Sequence, residues 1–241
     1  MKRYALLGKS LSHSYSKSFF TEKFLKEKIK NTKYLNLELD DISTIKICIK
    51  KFNISGFNVT IPYKSDILPF LDSISEESKL VGAVNTIKII DGKLHGLNTD
   101  IIGFEKSIFP LLKNRKTALI LGNGGASKAI QFVLSKLNIN YKIVSRNTYF
   151  DYHNIDKEII ESSDIIINTT PLGTYPKTTE YPNIPYQFLN SKHLLFDLVY
   201  NPKVSTFLSY GIRNNCEIKN GSEMLYLQAE ESWRIWNSDI I

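Results

Sequence analysis

The chain has 241 residues, 42% of them hydrophobic and 23% charged, with a formal net charge of +7. That is enough apolar material for a sizeable core in one or two domains, at a charge content near the globular average. No apolar run approaches the ~18 residues of a membrane helix, and Tyr4–Leu7 is too short for a signal-peptide core, so neither membrane nor export is expected. The lysines are interleaved with glutamates, as in Glu22-Lys23-Phe24-Leu25-Lys26-Glu27-Lys28, which is the pattern of a solvated helix face. Nucleic acid is therefore not an expected partner, and the positive field suits an anionic substrate and cofactor. Cys48 and Cys216 are far apart with no metal-ligand spacing, so a reduced, cytoplasmic protein without a metal is expected.

Met1 to Gly8 reads as a strand. Ser16 to Ile29 reads as a helix with Phe20, Phe24, Leu25 and Ile29 on its apolar face. Tyr34 to Leu39 is a strand, Ile42 to Phe52 a helix, and Gly56 to Ile61 a strand stopped by Pro62, with a further element opening at Lys64. The alternation predicts a parallel sheet. Asn85 to Ile90 and Lys93 to Gly96 form a hairpin across Asp91-Gly92. A second series begins at Thr117 to Leu121, followed by a helix over Ala126 to Leu137. Strands follow at Tyr141 to Ser145, Ile165 to Asn168 and Leu194 to Leu198. Their near-continuous apolar character suits a doubly wound sheet buried on both faces. Thr174 to Pro185, with three prolines, reads as a surface loop. Ser222 to Trp236 reads as the last helix.

Several short motifs carry chemistry. Gly122-x-Gly124-x-x-Ser127 sits between a strand and a helix. Glycine there permits the tight turn and close backbone approach, and the helix N-terminus offers N–H groups to a pyrophosphate. Ser127 is small enough for helix–strand packing. The next strand ends in Arg146, where a basic side chain suits a 2′-phosphate and an acidic one would suit a free ribose. Ser14 and Ser16, just before a helix, pair hydroxyls with free N–H groups and suit a carboxylate; alone they would read as N-caps. Lys64 alone would be a solvated lysine, and Asp100 an N-cap.

The chain resembles the shikimate dehydrogenase family in seven segments in register. They are Gly8-Lys9-Ser10-Leu11-Ser12-His13-Ser14-Tyr15-Ser16, Gly56-Phe57-Asn58-Val59-Thr60-Ile61-Pro62-Tyr63-Lys64, Gly82-Ala83-Val84-Asn85-Thr86 and Gly96-Leu97-Asn98-Thr99-Asp100. The C-terminal half adds Gly122-Asn123-Gly124-Gly125-Ala126-Ser127, Asn168-Thr169-Thr170-Pro171-Leu172-Gly173 and Gly221-Ser222-Glu223-Met224-Leu225-Tyr226-Leu227-Gln228. The resemblance implies two α/β domains. Residues 1–98 with 222–241 would bind substrate, and 99–221 would be a Rossmann-like, doubly wound NADP-binding domain. It implies the reversible NADPH-dependent reduction of 3-dehydroshikimate to shikimate, in a monomer or homodimer.

Within that resemblance Lys64 and Asp100 are the expected catalytic pair. A protonated lysine can stabilise charge developing on a carbonyl oxygen and then donate a proton. Ser14, Ser16 and Thr60 are expected on the carboxylate, Asn85 and Asp100 on ring hydroxyls, and Tyr200 and Gln228 on the remaining substrate contacts. Asn85 can donate and accept, which suits a vicinal diol. Gly122, Asn123, Gly124, Gly125 and Ala126 would cradle the cofactor phosphates. Thr170, Leu198 and Gly221 would line the nicotinamide. Asn58 is expected to support the site and His13 to be structural. One departure concerns 148–151, where the family often places a second basic residue and this chain has Thr148-Tyr149-Phe150-Asp151. The alternatives are a quinate or aminoshikimate dehydrogenase of the same fold, or a non-catalytic nucleotide-binding paralogue.

Overall fold

The computed structural model describes residues 1–12, 14–146 and 151–238. His13 and the expectation for Thr148, Tyr149 and Phe150 lie outside the described residues. The chain divides into two compact units, Met1–Thr99 with the chain from Ala229 onward, and Asp100–Gln228.

The first unit holds β1 (Lys2–Gly8), α1 (Ser16–Lys26), β2 (Thr32–Glu38), α2 (Ile45–Phe52), β3 (Gly56–Val59), β4 (Ser73–Ile74), α3 (Glu76–Val81), β5 (Thr86–Ile90) and β6 (Lys93–Leu97). Its sheet runs β2-β1-β3-β5-β6-β4. β1 pairs in parallel with β2 and β3, but β5 is antiparallel to both β3 and β6. The sheet is therefore mixed, not parallel throughout. The physical reason lies partly at Asp91 and Gly92, which both take positive φ, +48° and +76°, as a two-residue hairpin turn requires.

β1 and β3 are buried along most of their length. One face packs Ala5, Leu7, Phe57 and Val59 against Ile45 of α2; the other packs Tyr4 and Leu6 against Phe20 and Phe24 of α1. The indole of Trp236 stacks on Tyr4 at 4.6 Å between centroids and donates from Nε1 to Ile87 O at 2.9 Å. This ties the chain's C-terminal helix to the first sheet.

Several expected boundaries move, three of them in the first unit for a visible local reason. α1 stops at Lys26 because Lys28 adopts positive φ (+54°), although the Ile29 amide still reaches Phe24 O. The helix expected from Ile42 begins as a single 3-10 turn, Ile42–Thr44, capped by Asp41. β3 ends at Val59, and no helix or strand opens at Lys64. The Tyr63 amide turns back to Thr60 O at 3.0 Å, and the turns that follow end in the 3-10 helix Leu68–Phe70.

The second unit contains most of α4 (Thr99–Ile108), then β7 (Thr117–Leu121), α5 (Gly125–Lys136), β8 (Asn140–Val144), α6 (Lys157–Glu161), β9 (Ile165–Asn168), β10 (Leu194–Asp197), α7 (Thr206–Arg213), β11 (Glu217–Lys219) and the start of α8 (Ser222–Asn237). Its sheet runs β11-β10-β9-β7-β8 and is parallel throughout. β9 and β10 are buried at every residue, as strands covered on both faces must be. The proline-rich stretch 174–185 is only in part a surface loop: Tyr175 and Tyr181 are exposed, but Ile184 is buried in the core with Tyr186.

Candidate active site

In the first unit the ends of β1 and β3 lie beside the start of β5. The Thr60 amide donates to Leu7 O at 2.8 Å and the Val59 amide to Asn85 O at 2.8 Å. The Val84 amide donates to Lys64 O at 2.8 Å. Backbone pairing thus brings Thr60, Lys64 and Asn85 to one end of the sheet. Asp100 follows Thr99 directly, and the Thr99 amide donates to Asn85 Oδ1 at 2.7 Å. Asp100 is buried inside the first turn of α4, not at its cap as the isolated sequence would suggest.

Ser14 Oγ accepts from the Ser16 amide at 3.3 Å and so occupies one N–H at the start of α1, whose N-cap position is Tyr15. The helix N-terminus carries no acidic residue in its first turn, which leaves its dipole uncompensated. Ser14 and Ser16 are both half-buried. Behind Ser16 stands the fully buried Tyr34, whose phenol is pushed well above its usual range by burial, with the Ser16 hydroxyl opposing.

The Tyr34 hydroxyl donates to Asn58 Oδ1 at 2.8 Å. Asn58 Nδ2 donates to Ser232 Oγ at 2.9 Å, Thr86 Oγ1 at 3.0 Å and Asn85 O at 3.2 Å. Every polar atom of the Asn58 side chain is thereby used inside the protein, which fits a supporting role. Thr86, Thr99 and Ser232 complete this buried knot, and the sequence reading missed all three. Thr99 had a usable signal, since it stands between Asn98 and Asp100 in a segment already singled out.

Asn85 is 3% exposed, and each hydrogen bond of its side chain uses Oδ1: from the Thr99 amide, from Thr99 Oγ1 at 3.2 Å and from Thr86 Oγ1 at 3.1 Å. Toward a ligand it offers Nδ2, a donor.

In the second unit the expected cofactor residues all follow the carboxyl ends of the five parallel strands. The chain enters at β7, adds β8 on one side and then crosses to β9 on the other. The β7/β9 boundary is the topological switch point at which open α/β sheets bind ligands. Gly122 follows β7 with φ +108°, and a Cβ there would stand 2.7 Å from Thr169 Oγ1. Only glycine makes this turn. Around Gly124 a Cβ would meet nothing within 4 Å, so the backbone is open to an approaching group. α5 begins at Gly125 with no side-chain cap, leaving the first-turn N–H groups near Asn123, Gly125 and Ala126 to a ligand. Ser127 is fully buried and donates to Gly122 O at 2.8 Å, pinning helix to strand.

Arg146 is exposed two residues after β8, and its charge opposes the upward push that burial gives the Tyr152 phenol. Thr170 follows β9, and Leu198 follows β10 with its amide donating to Asn168 O at 2.9 Å. The Gly221 amide reaches Val199 O at 3.1 Å, and a Cβ on Gly221 would fall 2.1 Å from Leu198 O, so no side chain fits. Tyr200 is half-buried beyond Val199. Gln228, half-buried on α8, donates to Leu225 O at 2.9 Å. An open glycine turn, an uncapped helix start and an exposed arginine on the adjacent strand end form a donor set that fits a dinucleotide carrying a 2′-phosphate. Among the described residues no three His, Cys, Asp or Glu side chains gather as a metal site, and no helix is long and apolar enough to cross a membrane.

The family model for the shikimate dehydrogenase substrate binding domain matches residues 6–87. A shikimate dehydrogenase (NADP(+)) of Clostridium beijerinckii is 39% identical over 98% of this chain and 92% of its own length. The chain belongs to the shikimate dehydrogenase family. A shikimate dehydrogenase (NADP(+)) of Methanococcus maripaludis is 37% identical over 98% of this chain and 91% of its own. The solved structure of shikimate dehydrogenase 1 from Peptoclostridium difficile superimposes with a TM-score of 0.88 at 36% identity, covering 100% of this chain and 93% of that one.

Proposed function

We propose that this chain is an NADP-dependent shikimate dehydrogenase that reversibly reduces 3-dehydroshikimate to shikimate on the route to chorismate and the aromatic amino acids. The observation that carries the reading is the likeness, over nearly the whole chain, to shikimate dehydrogenases named for NADP. In this reading residues 1–98 with 222–241 hold the substrate and 99–221 hold NADP.

Bound NADPH supplies the hydride that adds to the ring carbonyl carbon. As the π electrons move onto oxygen, the Lys64 ammonium stabilises the charge and gives up a proton to make the alcohol. In the reverse direction the Lys64 amine takes that proton back. Asp100 orients the lysine and an adjacent ring hydroxyl. Asn85, its Oδ1 already committed to Thr99, donates from Nδ2 to a ring oxygen. Ser14, Ser16 and Thr60 receive the carboxylate, with Tyr200 and Gln228 closing the remaining contacts. Gly122 to Ala126 hold the pyrophosphate, Arg146 the 2′-phosphate, and Thr170, Leu198 and Gly221 the nicotinamide.

The test is to incubate the protein with shikimate and NADP and follow reduced nicotinamide and 3-dehydroshikimate together. Equimolar appearance of both is expected. Absence of both at enzyme concentrations near those of substrate overturns the reading.

A further inference from the structure

Asp197 ends β10 with its side chain fully buried, and three donors converge on it. Oδ1 accepts from Asn168 Nδ2 at 2.9 Å and from the Val199 amide at 3.0 Å, while Oδ2 accepts from the Ser205 hydroxyl. None of these partners carries a charge. An ionised group buried without a counter-ion is costly, and the hydrogen bonds recover only part of that cost.

The carboxylate has a directional consequence. It stands opposite Asn168 in the β9–β10 register and can only accept when ionised, so the Asn168 amide must turn its Nδ2 toward it. That leaves Asn168 Oδ1 to accept from the Thr170 amide at 3.0 Å and from Thr170 Oγ1 at 2.6 Å. With its hydroxyl held on Asn168, Thr170 turns its methyl toward the glycine turn, 3.0 Å from where a Cβ on Gly122 would stand. A single chain of hydrogen bonds thus runs from Ser205 at the start of α7, through Asp197 and Asn168, to Thr170. A branch fixes the Val199 amide between Leu198 and Tyr200.

We propose that Asp197 is a positioning residue for the cofactor: through Asn168 it sets the Thr170 side chain, and through the Val199 amide it sets the turn carrying Leu198, so the nicotinamide end of the dinucleotide depends on it and the adenosine end does not. This rests on the reading above that Thr170 and Leu198 face the nicotinamide.

The experiment compares, in the full chain, the Michaelis constant for NADP with the dissociation constant of adenosine 2′,5′-bisphosphate, which carries the 2′-phosphate but no nicotinamide. Asp197→Ala is expected to raise the NADP Michaelis constant about tenfold and to leave bisphosphate binding within about twofold. Asp197→Asn keeps an oxygen for Asn168 and Val199 and offers its NH₂ to Ser205 Oγ, so it restores the NADP constant to within about threefold of wild type. Equal weakening of both ligands in Asp197→Ala marks a general loosening of the unit and overturns the proposal, as does an unchanged NADP constant. Reversible partial unfolding raises both constants by the same factor, so the ratio of the two carries the comparison. If Asp197→Ala yields no folded protein, Asn168→Ala cuts the same relay one residue along and carries the same expectation. Failure of the underlying reading looks different: wild type then oxidises no shikimate with NADP, or Thr170→Val and Leu198→Ala both leave the NADP constant unchanged.

Discussion

Asn85 Oδ1 is held by both the backbone amide and the hydroxyl of Thr99, at 2.7 and 3.2 Å, in a buried setting at the start of α4. The bond fixes which way the amide faces, and it links the start of β5 to the residue immediately before Asp100. Asn85→Asp keeps an acceptor for Thr99 but replaces the outward donor with a negative oxygen. The Michaelis constant for shikimate should rise at least about tenfold, as expected when a donor to a buried polar partner is lost, with that for NADP unchanged. Steady-state kinetics with each substrate varied in turn checks this.

Lys64→Ala should lower turnover by at least about 100-fold, the usual worth of general acid–base help, with a smaller effect on substrate binding. Lys64 is anchored through its carbonyl to the Val84 amide, a bond the variant keeps. Near-normal turnover would remove the residue from the chemistry.

Ser14→Ala with Ser16→Ala separates a cap from a binding site. Ser14 does accept from the Ser16 amide, so loss of that bond should cost about 0.5–1.5 kcal/mol of stability, seen as a lower melting temperature. A rise in the Michaelis constant for shikimate, with NADP affinity intact, is the added effect of losing the carboxylate donors. A lower melting temperature with unchanged kinetics would make these two residues caps alone.

The elements legible in the sequence were those whose burial is uniform or whose turn chemistry is strict. Ile165–Asn168 reads as a strand because every residue in it is apolar until the last, and the Asp91-Gly92 hairpin reads from a dipeptide that accepts positive φ twice. β4 and α3 were not legible. A two-residue strand carries no period, and α3 is a six-residue helix held by the Ser75 cap and a Gly82 that ends it in the left-handed region. The antiparallel pairing of the hairpin with β3 was not legible, because alternation of strand and helix speaks for parallel pairing only as far as β3. In the proposed site, the residues expected to bear chemistry were named from the family resemblance and its motifs. The groups that orient them were not: Tyr34, Thr86 and Ser232 come from three distant elements, and only their meeting at Asn58 gives them a role.

Burial pushes the Asp197 carboxyl up to about 6, with the Ser205, Val199 and Asn168 hydrogen bonds opposing. An unfolded aspartate titrates near pH 3.9, so the folded state holds the proton more tightly. The stability this contributes is fully present below about pH 4 and is lost as pH rises through about 6, a change of about 3 kcal/mol for a shift of about two units. Asp197→Asn has no such titration. The stability of wild type minus that of Asp197→Asn, measured by urea unfolding at a series of pH values, should therefore fall between about pH 4 and 6 and be flat above. A difference that rises with pH in that window would contradict the assignment.

Arg146 should read the 2′-phosphate. A charge-assisted hydrogen bond of that kind is worth about 1.5–3 kcal/mol, or about one to two decades in affinity. Arg146→Ala should weaken NADP by that much and barely change NAD. Equal loss for both cofactors would assign the arginine another role.

One kinetic comparison on wild-type protein decides both substrate and cofactor: kcat/KM for shikimate and for quinate, each with NADP and with NAD. Shikimate with NADP should give the largest value of the four. Quinate exceeding shikimate, NAD exceeding NADP, or no turnover in any combination would contradict it.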